Sequence, residues 1–548
     1  MADQQVYRKK MLLIDDEFLF EIHNLERKVN QAVKHPESVM RVDAPWNTPE
    51  DCFDYVNVLY DESEGLFKMW YAVLGSCGKW GTAERSWAYA TSTDGINWER
   101  PILNMAEVNG STENNYFLPE MNNLCWTLIM DPSDRPSRRY KMMFCLGDNP
   151  GVGEQTDWAD FHMHMPLNLA YSADGLTWAK PQHVNPVLRG ISDGGWGFIY
   201  DPDRRKYVLF TRRVPNLPRD ISMYESSDLV NWEDRGRVLV PGDEYDPPSL
   251  FNFQSMTPFF YEDFHLGLLS TQYSLPGAEL YEVYHKPPAD YGDQRMGTVN
   301  VQMAYSRDGL AWSRPNDRSE IIPTGEPGAP DAGMIFIPQS SPPVVDGETW
   351  IYYTACRDRH SMWDQKRVVE EDGGRHSDHC CCMLAKMPED HWVSLDAGAE
   401  EGSLLTKPMA FAIWQDLLVN ADAGGGYIEA ELVTPYGQVI EGFARGDCVP
   451  VTGDGKDQPL RWKGPKSVAE IMPDHVGGPC IRFYIKNAKL YSFTVTEPDP
   501  DGARARYWDD MRWCEIIKHR SDNWSRTSNS PAGGVPPYTQ PGPGKPRI

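Results

Sequence analysis

Four acidic side chains draw attention by their positions: Asp54, Asp193, Glu244 and Asp331. Asp54 and Asp193 each lie about seven or eight residues ahead of an acidic turn that closes an apolar, aromatic-rich strand. The segment beginning at Asp331 holds the same place before a later turn, and Asn122 or Asn123 and Gln254 hold it in two more. Carboxylates repeated in this way suit chemistry that needs a proton donor together with a nucleophile or base, as cleavage of a glycosidic bond does. Capping a strand start or ordering a turn would use the same residues, and for Asp331 the Pro-Asp-Ala-Gly turn is an equal explanation. Glu244, in Pro-Gly-Asp-Glu-Tyr-Asp-Pro-Pro, is placed on a loop able to swing over a pocket, with Asp246 beside it, Glu120 as its rival and Asp43 further out. Around these acids lie side chains suited to holding a polar or ring-shaped ligand. Trp46, Trp126 and Trp196 offer ring faces, although packing between sheets serves Trp equally well. Arg212 and Arg357 offer bidentate contacts, and His164, alternating with His162, offers one strand face. The run from His376 to Cys380 has zinc-binding residue types, but it lies in an acidic, Gly-rich loop, so neither a metal site nor a cofactor is expected.

The elements that must position these residues are repeats. WAYATSTDGINWERP (87–101), LAYSADGLTWAKP (169–181), MYESSDLVNWEDRG (223–236) and MAYSRDGLAWSRP (303–315) are copies of one phrase. Each is a strand, then Ser-x-Asp-Gly or Ser-Asp-Leu, then a Trp, which reads as a hairpin turn with a covering aromatic. Asp94, Asp174, Asp228 and Asp308 therefore belong to turns. A strand, an acidic turn and a Tyr- or Phe-rich strand precede each copy, and a fifth unit, residues 340–356, lacks the Trp hairpin. Two hairpins per repeat make a four-stranded sheet, and several such sheets cover their faces by stacking radially. The prediction is an all-β chain with a five-bladed β-propeller over residues 46–395, whose innermost strands bring Asp54, Asn123, Asp193, Gln254 and Asp331 toward one central pocket.

Period-2 alternation continues over 396–497, with close-set Gly, Asn and Asp turns, and predicts a β-sandwich. Residues 1–45 form an N-terminal extension in which Phe18, Phe20, Ile22, Leu25 and Val29 suggest a helix. Residues 498–548 suggest a short helix and then a Pro/Gly-rich tail. The formal net charge of −26 argues against nucleic acid and anionic membranes, which need clustered Lys and Arg. No apolar run approaches the roughly 20 residues that cross a bilayer, and the first residues lack a secretory core. Eleven cysteines, an odd number without a CxxC pair, suit a reducing cytoplasm better than a disulfide framework. The N-terminal and C-terminal segments outside the propeller offer a means of forming a homo-oligomer.

Five blades with Ser-x-Asp-Gly-x-x-Trp hairpins, followed by a sandwich, resemble the clan of propeller glycosidases that includes invertases, levanases and arabinanases (glycoside hydrolase family 32/43-like). The resemblance covers about 450 of the 548 residues. The Trp-Met-Asn-Asp-Pro-Asn signature of invertases, their Arg-Asp-Pro and their Glu-Cys acid motif are missing, which marks a divergent branch. The resemblance implies an exo-acting glycoside hydrolase for a terminal furanose or related sugar. Asp54 would be nucleophile or base, Asp193 would stabilise developing positive charge, and Glu244 would be preferred to Asp331 as acid. A propeller-type glycoside phosphorylase, with Arg212, Arg357 and His360 near phosphate, and a carbohydrate-binding propeller without catalysis are the alternatives.

Overall fold

The computed structural model describes residues 6–74, 85–118, 126–145, 166–191, 195–212, 219–246, 251–273, 297–360, 374–409, 416–464 and 478–498. The described chain is strands and short 3-10 turns. Three four-stranded antiparallel sheets follow one another, with innermost strands Cys52–Asp61, Trp126–Met130 and Gly197–Asp201. An eight-stranded sheet comes next. It holds two units, one opening with Phe251–Tyr261 and one with Met334–Phe336, joined through the single parallel pairing of Val299 with Met334. We call the five units blades 1 to 5.

Apolar side chains on the blade faces sort into one core per blade interface. Trp70 and Trp87 of blade 1 pack with Trp126, Tyr140 and Phe144 of blade 2. Met143 and Leu169 meet Trp196 and Phe198 between blades 2 and 3, and Val208 and Phe210 meet Phe253 and Leu269 between blades 3 and 4. Phe259 and Leu268 meet Ile351 and Tyr353 between blades 4 and 5, while Trp350, Tyr352 and Leu384 return to Val56 and Met69 of blade 1. Five cores for five blades close the ring, so no blade leaves a face to water.

The ring also has a polar centre. Residues 338–341 cross it just after the innermost strand of blade 5. The Gln339 backbone N–H donates to the Val56 carbonyl of blade 1 at 2.8 Å. Its carbonyl accepts the Thr127 hydroxyl of blade 2 at 2.5 Å, and its side-chain oxygen accepts the Trp196 N–H at 2.8 Å. Ser341 donates to the Pro258 carbonyl of blade 4 at 2.8 Å, and Thr257 bonds the Pro338 carbonyl. A Cβ on Gly195 would stand 2.7 Å from the Gln339 amide nitrogen and 2.8 Å from the Ser255 Cβ, so this approach requires glycine.

At the far end of the innermost strands the acidic turns latch blade to blade. Asp61 takes Lys68 at 2.9 Å and Arg139 at 2.8 Å, within reach of the Tyr140 hydroxyl of blade 2. Asp131 takes Lys141 at 2.9 Å and the Tyr207 hydroxyl of blade 3 at 3.1 Å. Asp201 takes Arg204 at 2.5 Å and the His265 ring of blade 4 at 3.1 Å. Burial alone would raise these three carboxyls, but their hydroxyl and cationic partners hold all of them below the ordinary aspartate value.

The repeated hairpins form as their residue types require. In each, the aspartate oxygen (Asp94, Asp174, Asp228, Asp308) accepts the backbone N–H groups two and three residues on. The next residue has positive φ: Gly95, Gly175 and Gly309 at 71°, 78° and 68°, and Leu229 at 68°. These four acids are structural, as expected.

The N-terminal helix is not present. Its residues form the strands Leu19–His23, Glu26–Val29 and Val33–Lys34, preceded by Val6–Leu12. Phe20, counted toward a helix face, is 71% exposed, whereas Leu19 is buried. The hydrogen-bond partners lie hundreds of residues away: Leu19–His23 pairs with Gly402–Thr406, Glu26–Val29 with Val393–Ala397, and Val33–Lys34 with Cys380–Met387 as the outermost strand of blade 5. Such non-local pairing overrides a short helical pattern. The sandwich therefore has a six-stranded and a four-stranded sheet, each including an N-terminal strand, around a core containing Leu19, Leu417, Ile428, Phe483 and Phe493. The helix and tail expected over 498–548 lie outside the described residues, apart from Pro498 at the end of the last strand.

Candidate functional site

Antiparallel hairpins put the start of each innermost strand beside the end of the second strand, so the beginning of blade 1, the ends of the second strands of blades 3 to 5 and the beginning of blade 4 share one end of the ring. Two of the innermost strands are irregular there. The pairing of Cys52–Asp61 with its neighbour slips between Phe53 and Val56, and that of Phe251–Tyr261 slips between Phe253 and Ser255. The residues in these bulges are Asp54 with Tyr55, and Gln254. A bulge re-aims a side chain that the pleat would otherwise direct between blades.

Asp54 is 8% exposed. Its backbone carbonyl accepts the Thr354 hydroxyl of blade 5, which fixes it at the junction of blades 1 and 5. Tyr55 packs against Phe336 with ring centroids 5.6 Å apart, and Phe336 meets the His360 ring at 6.4 Å. On the blade 3 and 4 side, Arg212 donates to the Gln254 side chain, Gln254 donates to Gln272, and Arg219 reaches Gln272 at 3.2 Å. Asn252 accepts the Arg219 backbone N–H at 2.8 Å. Arg212, Asn252, Gln254 and Gln272 are all buried. This is a chain of amides ordered by two arginines, a suitable lining for hydroxyl-rich ligands.

Gln339 stands below both groups. It is bonded at the level of Val56 and Trp196 and lies against Ser255, one or two residues beyond Asp54 and Gln254 along their strands. Gln339 occupies the axis at that level, bonded to blades 1, 2 and 3.

Other predicted positions are placed differently. Asp331 is buried, but its carboxylate accepts Lys34 at 2.6 Å and the Tyr353 hydroxyl at 3.0 Å, and Tyr353 belongs to the core between blades 4 and 5. It anchors the N-terminal strand to blade 5, a structural role for the acid. Trp126 and Trp196 are each 1% exposed. Trp126 meets Trp87 at 4.2 Å, and Trp196 fills the core of blades 2 and 3. Neither presents a ring face to a sugar, which corrects both to interblade packing. Trp46 is half-buried, and its N–H donates to Asn115, just before the outermost strand of blade 1. Glu244 is exposed, on a turn held by Asp246 to Arg314 at 2.8 Å and by Asp243 to Arg318. Arg357 is exposed at the end of its strand. Asn123, His164 and Asp193, with the rivals Glu120, Asn122 and His162, lie outside the described residues.

One pair was not foreseen. His379 was weighed only as a zinc ligand, yet its Nδ1 lies 2.9 Å from the Asp358 carboxylate, just past the end of the Glu348–Cys356 strand. Sequence spacing gives no sign of it, because the two residues meet only through the antiparallel pairing of Glu348–Cys356 with Cys380–Met387. Among the described residues no group of three His, Cys, Asp or Glu side chains is arranged to hold a metal ion, and no helix is long and apolar enough to cross a membrane.

No family model matches the chain. A curated relative, an A type blood N-acetyl-α-D-galactosamine deacetylase from Flavonifractor plautii, is 32% identical over 117 residues, which are 19% of this chain and 14% of the relative's length. Among solved structures, one described as a glycoside hydrolase has a TM-score of 0.40 at 13% identity, covering 65% of this chain and 94% of its own. The F. plautii N-acetylgalactosamine deacetylase bound to blood group B trisaccharide has a TM-score of 0.40 at 13% identity, covering 68% and 96%. A fructofuranosidase from Schwanniomyces occidentalis has 0.36 at 11% identity, covering 86% and 99%. All three scores lie below one half, so what this protein does must be argued from its own residues.

Proposed function

We propose that the protein is a carbohydrate-active enzyme of the glycosidase type, cleaving a terminal sugar at the end of the ring where the innermost strands begin. The observation that carries this reading is Asp54: a carboxylate at a bulge of an innermost strand, above an axis blocked by Gln339 and beside a buried amide chain ordered by Arg212 and Arg219. A blocked floor favours exo action, because only a chain end fits a pocket with one opening. Asp54 acts as nucleophile or base. With Asp331 engaged by Lys34, Glu244, which precedes blade 4 in the sequence, is the proton donor, and Asp193 is the acid that stabilises developing positive charge. Gln254, Gln272 and Asn252 hold sugar hydroxyls.

The phosphorylase reading rests on a different observation, the arginines Arg212 and Arg219 beside Gln254 and Gln272, which would equally suit phosphate. The experiment is a screen of nitrophenyl furanosides and pyranosides with and without phosphate, run on the natural protein and on Asp54→Asn. Turnover without phosphate that disappears in the variant supports the hydrolase. Turnover only with phosphate selects the phosphorylase, and turnover unaffected by the substitution removes Asp54 from the chemistry. A sugar that protects the protein from heat without ever being cleaved would point to a binding propeller.

A further inference from the structure

Beside Asp54 on the mouth side, at the junction of blades 5 and 1, three cysteines converge in an apolar setting made by Val299 and Met334, with Leu74 and Phe336 packed on it. They are Cys52 from the first strand of blade 1, Cys356 from the end of the blade 5 second strand and Cys380 from the start of its third. All three are buried. Cys356 and Cys380 are direct cross-strand partners. The next pair, Arg357 and His379, is the hydrogen-bonded one, with the Arg357 N–H donating to the His379 carbonyl at 2.8 Å. Cys356 and Cys380 therefore occupy a non-hydrogen-bonded position, where opposed Cα atoms approach to about 4.5 Å and side chains come closest. That spacing lies within the range a disulfide spans, about 4.4–6.8 Å. Their sulfurs are 2.6 Å apart. No polar side chain separates them.

We propose that Cys356 and Cys380 are a peroxide-responsive thiol pair that forms a cross-strand disulfide at the mouth of the site. The oxidant is hydrogen peroxide, small enough for a buried site. The Cys380 sulfur attacks one peroxide oxygen, the O–O bond breaks, and one water leaves after taking up a proton. The resulting sulfenic acid is attacked by the Cys356 sulfur, the S–S bond forms, the S–O bond breaks, and a second water leaves. Two thiols and one peroxide thus give one disulfide and two waters. The two sulfurs lose the two electrons that reduce the peroxide.

The surroundings favour Cys380 as the attacking sulfur. Burial alone would raise its thiol, but S–H donors from Cys356 and Cys52 hold it down to about 6, whereas Cys52 and Cys356 are raised well above the ordinary value. The pair is tied to the proposed site by one short stretch of backbone, and the neighbouring Cys52 by a second. Cys356 is two residues from Thr354, which holds the Asp54 carbonyl, and Cys52 is two residues from Asp54. The coupling to turnover rests on the proposed function. The disulfide itself does not.

The test is to reduce the full chain, treat it with stoichiometric hydrogen peroxide, block remaining thiols and map peptides without reductant. The expected product is a bridge between the peptide ending at Arg357 and the peptide containing Cys380, with a loss of two hydrogens. It should be absent from Cys356→Ser and Cys380→Ser and retained in Cys52→Ser and Cys381→Ser. A sulfinic acid at Cys380 without a bridge, a bridge to Cys52 instead, or both thiols still free would overturn the pairing. On any glycoside that proves to be a substrate, the bridged form should lose turnover and regain it with a thiol reductant. A bridged protein with unaltered turnover would refute the coupling to Asp54 while leaving the disulfide intact, and failure to find a substrate leaves the peptide map decisive.

Discussion

At the turn end of the innermost strands, Asp61, Asp131 and Asp201 are each bound by a cation from their own blade and a Tyr or His ring from the next. At the opposite end, Asp54 sits in a bulge and Gln254 in another, held by backbone and amide contacts. The same strands carry acids at both ends, so residue type alone does not separate structure from function. What differs is the backbone that carries each group: Asp201 lies in a regular pairing and Asp54 in a bulge. A carboxylate with an ammonium or guanidinium and an aromatic donor has its oxygens committed, and removing it leaves buried charges unpaired. Asp54 is set by a bulge near the mouth of the ring, and that irregular backbone is what the proposed role for it rests on. Asp331 lies near the same end of the ring, where Lys34 and Tyr353 bond its carboxylate.

The largest expected effect breaks the comparison if it fails. Asp54→Asn keeps the shape and removes the charge, so turnover should fall by about 10²–10⁴-fold, the contribution of a proton-transferring group. The midpoint of thermal unfolding should scarcely move. An unfolding curve displaced as far as that of a latch variant would show Asp54 to be one more structural acid.

The converse substitution is Asp201→Ala. It leaves the buried His265 ring without its carboxylate and leaves Arg204 with Glu225 alone of its two buried carboxylates, and taking a partner out of such a buried pair costs about 3–5 kcal/mol. Chemical denaturation should show that loss, while turnover per folded molecule at low temperature stays near normal. Proton linkage gives the same contrast without mutation. Because the Asp61, Asp131 and Asp201 carboxyls are depressed in the folded state, their stabilisation is fully present above the unfolded value of about 3.9 and is lost as pH falls below it toward the folded values. Stability measured from pH 6 down to pH 3 should fall more steeply for the natural protein than for Asp201→Asn, and parallel curves would deny the latch its ionic character.

How much of this was legible in the sequence follows from the range of the interactions. Hairpins built on Ser92, Asp94 and Gly95 are satisfied within a few residues, so spacing revealed them. The acidic turns were visible as turns, but their role as latches depends on Tyr140, Tyr207 and His265 arriving from the next blade. The N-terminal strands take partners from the far end of the chain, and a local periodicity misread them as a helix. Counting back from the turns reaches Asp54 and Gln254 as positions near the strand starts, but not the bulges that carry them, because a bulge is set by the pairing with the neighbouring strand. Counting cannot report that Lys34 comes to Asp331, nor that Trp126 and Trp196 turn inward, because both depend on what packs from outside the strand.

The smallest effect concerns the hairpins, where three copies place Gly at the left-handed position and blade 3 places Leu229 at φ 68°. A non-glycine side chain there costs roughly 1–2 kcal/mol, so Leu229→Gly removes strain. The same leucine is 2% exposed in the core of blades 2 and 3, and burying such a side chain contributes about 1.5–3 kcal/mol. Glycine adds about 0.5–1 kcal/mol of backbone entropy cost. Burial and entropy together outweigh the strain, so Leu229→Gly should destabilise by about 1–2 kcal/mol in chemical denaturation. Leu229→Ala, which keeps most of the strain and loses most of the burial, should be worse than glycine. If alanine proves the milder change, backbone conformation is not what Gly95, Gly175 and Gly309 are selected for, and the hairpins would have to be explained by the Gly95, Gly175 and Gly309 sites' close contacts with Tyr352, Trp70 and His265 instead.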